Sequence, residues 1–172
     1  MGFDIHGMNP IVRKGKKPEK PKGLYEGKKI DEDIVNKYYD ELNKFEDENV
    51  GVYFRNNVWW WRGLWDYVYK VCDDVISEDE WNEGHSNSGL KIDEDRAKKI
   101  SKRLNKLIKD GRNEKYRYLW EESRRIGEEN NKGLKKGSID KNYKWIASYP
   151  LSIDNIKHFA DFCADSGGFQ IC

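Results

Sequence analysis

The run Arg55-Asn56-Asn57-Val58-Trp59-Trp60-Trp61-Arg62 constrains this chain most, because a helix built on it must carry tryptophan on opposed sides. On a helical wheel from Val58 to Val75, at about 100° per residue, Trp61, Leu64, Trp65, Val68, Val71, Cys72 and Val75 share one broad face. That face is core. Trp60 lies at its edge, and Trp59 falls on the opposite side with Arg62, Asp66 and Asp73. An indole there, one turn from an arginine, is a platform for stacking a base or another planar group. Packed beneath a second element, it would instead be further core.

Tryptophan matters here because the rest of the core is lean. Hydrophobic and charged residues each make up 37% of the 172 positions, while aromatics reach 13%, more than a disordered chain tolerates. Seven tryptophans compensate, since each large aromatic removes about 150–250 Å² from water. The length fits a single domain over 1–172.

Lys and Arg number 32 against 31 Asp and Glu, so no global field recruits DNA, RNA or an anionic membrane. Nucleic acid is therefore not expected as the primary partner. Basic residues gather in Arg13 to Lys22 and in Lys98 to Lys109, the second run at the spacing of a solvated helix face. No apolar stretch has the length of a membrane span, and the N-terminus lacks a signal peptide's hydrophobic segment. Cys72, Cys163 and Cys172 are odd in number and form no CxxC pair, so neither a disulfide framework nor a cysteine zinc site is expected. A reducing cytoplasm suits such a chain.

Phe3-Asp4-Ile5-His6 alternates like a strand, and Val52 to Phe54 and Phe169 to Ile171 read as two more. The chain ends are expected to pair with each other or with the central strand, which Arg55-Asn56-Asn57 should terminate. Asp31 caps a helix to about Asp47. Ser77 and Glu80 form a capping box for a short turn carrying Trp81. Further helices follow from Asp93 to Gly111, from Glu114 to Glu129, and after Ser152. Segments 12–29 and 130–142 read as mobile loops. The fold expected is α+β and helix-dominant, with roughly four or five helices and a few short strands.

The polar residues around the tryptophans suggest a binding site. Arg55, Asn56 and Asn57 precede a helix N-terminus, where unpaired N–H groups favour an anion and arginine adds a planar fork. One asparagine can be spent as the helix cap. Asp4 and His6 share a strand face, and His85 lies in a polar loop with Asn87. These could complete the pocket with Asn9. Alternatively, a carboxylate and two imidazoles could hold a metal for hydrolysis, although Asp4 orienting His6 explains the pair equally well. His158 reads as a surface or packing residue, Cys72 as a buried and unreactive thiol, and Ser166-Gly167-Gly168 as a helix stop.

The segments MGFDIHGMNP, YFRNNVWWWR, GHSN and SGGF, in this order over most of the chain, resemble a family of small proteins of tailed phages, prophages and bacterial mobile elements. The resemblance brings no reaction with it. Many relatives of that kind carry a cysteine-rich insert before the last helix that suggests structural zinc, whereas Gly127 to Asn142 contains no cysteine here. What it implies is a phage-encoded accessory protein of the host bacterial cytoplasm, binding stoichiometrically and acting against host defence. On this reading the ligand is nucleotide-like or anionic, held by Arg55, Asn56, Asn57, Trp59 and Arg62 with Asp4, His6, Asn9, His85 and Asn87. No cofactor and no catalytic residue are expected. The alternatives are a protein–protein inhibitor of a host defence nuclease and a metal-dependent hydrolase using Asp4, His6 and His85. A homo-oligomer would also suit the aromatic excess.

Overall fold

The computed structural model describes residues 2–25, 30–134, 138–139 and 141–172 (of Asn142, the backbone alone). In chain order the elements are β1 (Gly2–Gly7), α1 (Glu32–Glu48), β2 (Tyr53–Asn57), α2 (Val58–Val71), α3 (Glu78–Glu83), β3 (Lys91–Ile92), α4 (Glu94–Lys109), α5 (Arg112–Asn131), α6 (Lys141–Ser148), α7 (Ile153–Asp165) and β4 (Phe169–Ile171). The fold is α+β and dominated by helix.

The strands form one antiparallel sheet in the order β2-β1-β4-β3. Both pairings left open by the sequence occur, because β1 is central. The chain ends are tied by the exchange between Asp4 N–H and the Cys172 carbonyl (3.1 Å) and between Cys172 N–H and the Asp4 carbonyl (2.8 Å). Alternation along β1 buries Phe3 and Ile5 and turns Asp4 and His6 to the other face. Phe169, Ile171 and Ile92 join the inner face, and the helices cover it.

Helix α2 crosses the centre of that core. Its Trp61 ring stacks between Phe3 (5.5 Å) and Trp65 (5.4 Å), and both indoles are fully buried. Their N–H groups are satisfied by the Gly84 carbonyl (2.8 Å) and the Trp81 carbonyl (3.0 Å), so burying them costs no orphaned donor. Gly63 permits a close crossing: a Cβ there would lie 2.4 Å from the Pro150 carbonyl oxygen. Helices α4 and α7 pack on each other beside it.

Two boundaries and the number of helices differ from the sequence reading. β2 continues through Asn57 instead of ending at Phe54, because Asn57 closes the strand and caps α2 at once. α2 stops at Val71; a turn after Cys72 then buries Val75 and Ile76. Among the described residues there are seven helices, the additions being α3 and α6. α3 forms with both hydrogen bonds of its capping box, and α6 is held by Trp145 and Tyr149 against α2, a long-range cause with no local signal. Of the two loops expected to be mobile, residues 26–29, 135–137 and 140 lie outside the described residues, and α5 extends through Asn131. No helix among the described residues is long and apolar enough to cross a membrane.

The start of segment 12–29 is pinned by the buried side chain of Asn49, beside the Arg13–Asp165 and Lys14–Glu48 ion pairs. Asn49, 2% exposed, accepts from the N–H groups of Arg13 (2.7 Å) and Lys14 (3.0 Å) and donates to the carbonyls of Lys14 and Phe45 (both 2.8 Å). Asn49→Ala is expected to free this segment locally, at a cost of about 2 kcal/mol. Trypsin should then cut at Arg13 to Lys22 faster than in the parent protein while α4 and α7 stay resistant. Unchanged cleavage there would show that the Arg13–Asp165 and Lys14–Glu48 pairs hold the segment without Asn49.

Candidate functional site

The polar side of α2 builds the most constrained cluster in the molecule. Asp66 and His85 are both 15% exposed, with His85 Nε2 3.0 Å from Asp66 Oδ1. The same carboxylate accepts the indole N–H of Trp81 (2.9 Å) and that of Trp145. The His85 ring stands edge-on between Trp81 (5.2 Å) and Trp145 (5.6 Å). One turn earlier, Arg62 donates to the Tyr149 hydroxyl (2.5 Å) and lies over the rings of Tyr149 (5.4 Å) and Trp145 (5.8 Å). Trp59 completes the row 5.9 Å from Tyr149. Asp66 thus clamps α2, α3 and α6 together, and its bonds are spent on that.

Among the described residues, the buried Nε of Arg62 and Nδ1 of His85 have no hydrogen-bond partner. Trp59 is 54% exposed and Trp60 37%. Trp59 is thus open to solvent on the polar side of α2 and not packed beneath a second element as core.

The remaining candidate residues distribute around this cluster. Asn57 caps α2, accepting from the N–H groups of Trp59 (3.0 Å) and Trp60 (3.1 Å). Asn56 turns inward and donates to the Asn155 side chain (2.9 Å), which reaches the Trp60 carbonyl (3.4 Å). Asp4 and His6 stay on the open sheet face. Asp4 accepts from the Tyr53 hydroxyl and lies 3.5 Å from Arg55, its cross-strand partner, while the His6 ring is 5.1 Å from Tyr53. Burial, then the bond to Asp4, raises the Tyr53 phenol well above its usual range. Asn87 donates to the Gly2 carbonyl (3.1 Å), fixing its loop to β1. Asn9 is exposed, and its backbone lies against Gly167, where a Cβ would come within 2.0 Å of the Asn9 oxygen. With φ of +60° at Gly167 and +87° at Gly168, the Ser-Gly-Gly turn has a steric reason for glycine.

Thus Trp59, Arg62 and His85 belong to one row, Asp4, His6 and Arg55 to the outer sheet face, and the two sets do not form a single enclosed pocket. The metal arrangement does not assemble. His85 is engaged by Asp66, and no group of three His, Cys, Asp or Glu among the described residues could hold an ion. Cys72 is buried, which pushes its thiol up to about 11.

A groove of about 660 Å³ runs along β2, between the end of α1 and one side of α7. Arg55 and Asn56 line it with Glu46, Asn155, His158 and Asp161. Burial raises the Glu46 carboxyl above its usual range. The Asn56–Asn155–Trp60 bonds join this groove to the exposed end of α2. Asp66, Trp81, Trp145 and the groove's acidic wall were not among the residues expected from sequence. Only Asp66 had a local signal, one turn from Arg62 on the polar side of the helix. No family model, curated protein or solved structure matches this chain.

Proposed function

We propose that this chain works by stoichiometric binding of a protein partner, through the surface where β2 passes into α2. The observation that carries the reading is the pair of exposed indoles, Trp59 and Trp60, beside a groove bordered by Arg55. Tryptophan and arginine are the residues on which interface energy concentrates, and exposing two adjacent indoles to water has no folding benefit. A nucleotide fits this surface less well. Asn57 occupies two N–H groups at the start of α2, Arg55 faces Asp4, and the groove wall carries carboxylates. The resemblance to small phage and mobile-element proteins supports a host defence protein as the partner and the host bacterial cytoplasm as the place.

A second reading keeps the nucleotide-like ligand and moves it to the Trp59, Tyr149 and Arg62 row, where the unpartnered Arg62 Nε supports it. The two readings separate by mutation. On the first, Trp59→Ala and Arg55→Ala each weaken partner binding by about 30-fold or more, the size of a 2 kcal/mol contact, while the melting temperature moves by no more than about 3 °C. On the second, Trp59→Ala and Arg62→Ala abolish binding of a small ligand and Arg55→Ala does not. Intact binding in all three variants would refute both.

A further inference from the structure

Strand β2 is a sheet edge, and the hydrogen-bond alternation fixes which of its groups are free. Asp4 bonds to β4, exchanging N–H and carbonyl with Cys172, and Met8 N–H likewise reaches the Gly168 carbonyl. Gly7 N–H, one residue out of phase, turns to β2 and the Val52 carbonyl (3.0 Å). Odd residues of β1 therefore serve β2, and in its register they oppose Val52, Phe54 and Asn56. Tyr53 and Arg55 must point their N–H and carbonyl groups away from β1, and both line the groove together with Phe54 and Asn56. The edge has no proline, and no second strand or helix pairs with it among the described residues. It has the features that make an edge a template for another strand.

Charge on the walls selects the occupant. Glu46 and Asp47 come from α1 and Asp161 from α7. Asp161 has an exposed partner in Lys157 (3.3 Å). Glu46 is half-buried and makes no hydrogen bond or ion pair of its side chain among the described residues, Lys17 being the cation whose field reaches it. Arg55 lies on the outer face against Asp4. A half-buried carboxylate without a direct partner, in an open groove, is matched by a cation brought from outside.

We infer that β2 takes an added strand, an extended lysine- or arginine-bearing segment of a partner protein, whose backbone pairs with Tyr53 and Arg55 and whose cations meet Glu46 and Asp161. This rests on the protein-binding reading above and names the chemistry of the partner. Affinity comes from main-chain bonds, and the acidic walls set the choice of sequence.

The test uses a fluorescein-labelled, amidated heptapeptide alternating lysine and valine, its glutamate–valine counterpart, and two N-methylated forms of the first. One form is methylated at the valines, the other at the lysines. Anisotropy should show the lysine peptide binding at least about tenfold tighter than the glutamate peptide. Only one N-methylated form should lose binding, because alternate N–H groups face the edge. Glu46→Gln with Asp161→Asn, checked for an unchanged melting temperature, should weaken binding by about tenfold, and bound peptide should slow amide exchange at Tyr53 and Arg55. Equal binding of both peptides, no binding of the lysine peptide, or indifference to both methylations overturns strand addition. If a Trp59-dependent partner is still captured in that case, the binding reading stands without the added strand; if it is not, both fall.

Discussion

Trp61→Ala is expected to lower the melting temperature by roughly 10–20 °C, from a loss of about 4–5 kcal/mol. The ring is wholly buried, stacked on Phe3 and Trp65, and edge-on to Phe159 at 5.7 Å. Truncation removes those contacts and leaves the Gly84 carbonyl without its indole donor. Trp61→Phe keeps the stacking and loses the bond, so about 2 kcal/mol is expected. Thermal unfolding followed by far-ultraviolet circular dichroism checks both. A Trp61→Ala protein melting within about 3 °C of the parent would mean that this indole is not the centre of the core.

Asp66→Ala is expected to cost about 3 kcal/mol, or roughly 6–12 °C. Two indole N–H groups and His85 depend on this one carboxylate. Removing it leaves donors unsatisfied in a site where water has little access, which costs more than a neutral hydrogen bond contributes. Asp66→Asn should fall between, since its amide accepts one indole and turns an N–H against the other. Asp73→Ala is the control, an exposed carboxylate in the turn that follows α2, and is expected within about 0.5 kcal/mol. A drop shared by Asp73→Ala and Asp66→Ala would point to the loss of negative charge around α2 as the cause and away from the indole clamp.

These expectations also mark how far local sequence reaches. The period of α2 alone separates Trp61 and Trp65 inside from Trp59 outside, because a helix wheel needs only neighbours in the chain. The alternation of Phe3 to His6 identifies β1 and its polar face in the same way. Pairing is not local. Nothing in residues 2–7 says that β1 is central, and its two partners come from the middle and the end of the chain. The Asp66 clamp was out of reach for that reason, since its Trp145 partner stands 79 positions away on a helix that packing stabilises. His85 is legible as a polar loop residue, but its Asp66 partner is not, and the sequence leaves open whether it meets Asp4 and His6; among the described residues the three form no ion site. The groove has the same character. It forms only when α1, β2 and α7 meet, so Glu46 and Asp161 read in isolation as ordinary solvated carboxylates.

Native mass spectrometry of the protein purified from bacterial cells that carry active defence systems, compared with the Trp59→Ala protein prepared identically, tests the central claim most directly. The account predicts a one-to-one adduct of protein size in the parent sample and its loss in the variant at an unchanged melting temperature. A bare chain in both samples, or an adduct that persists without the Trp59 indole, would contradict it.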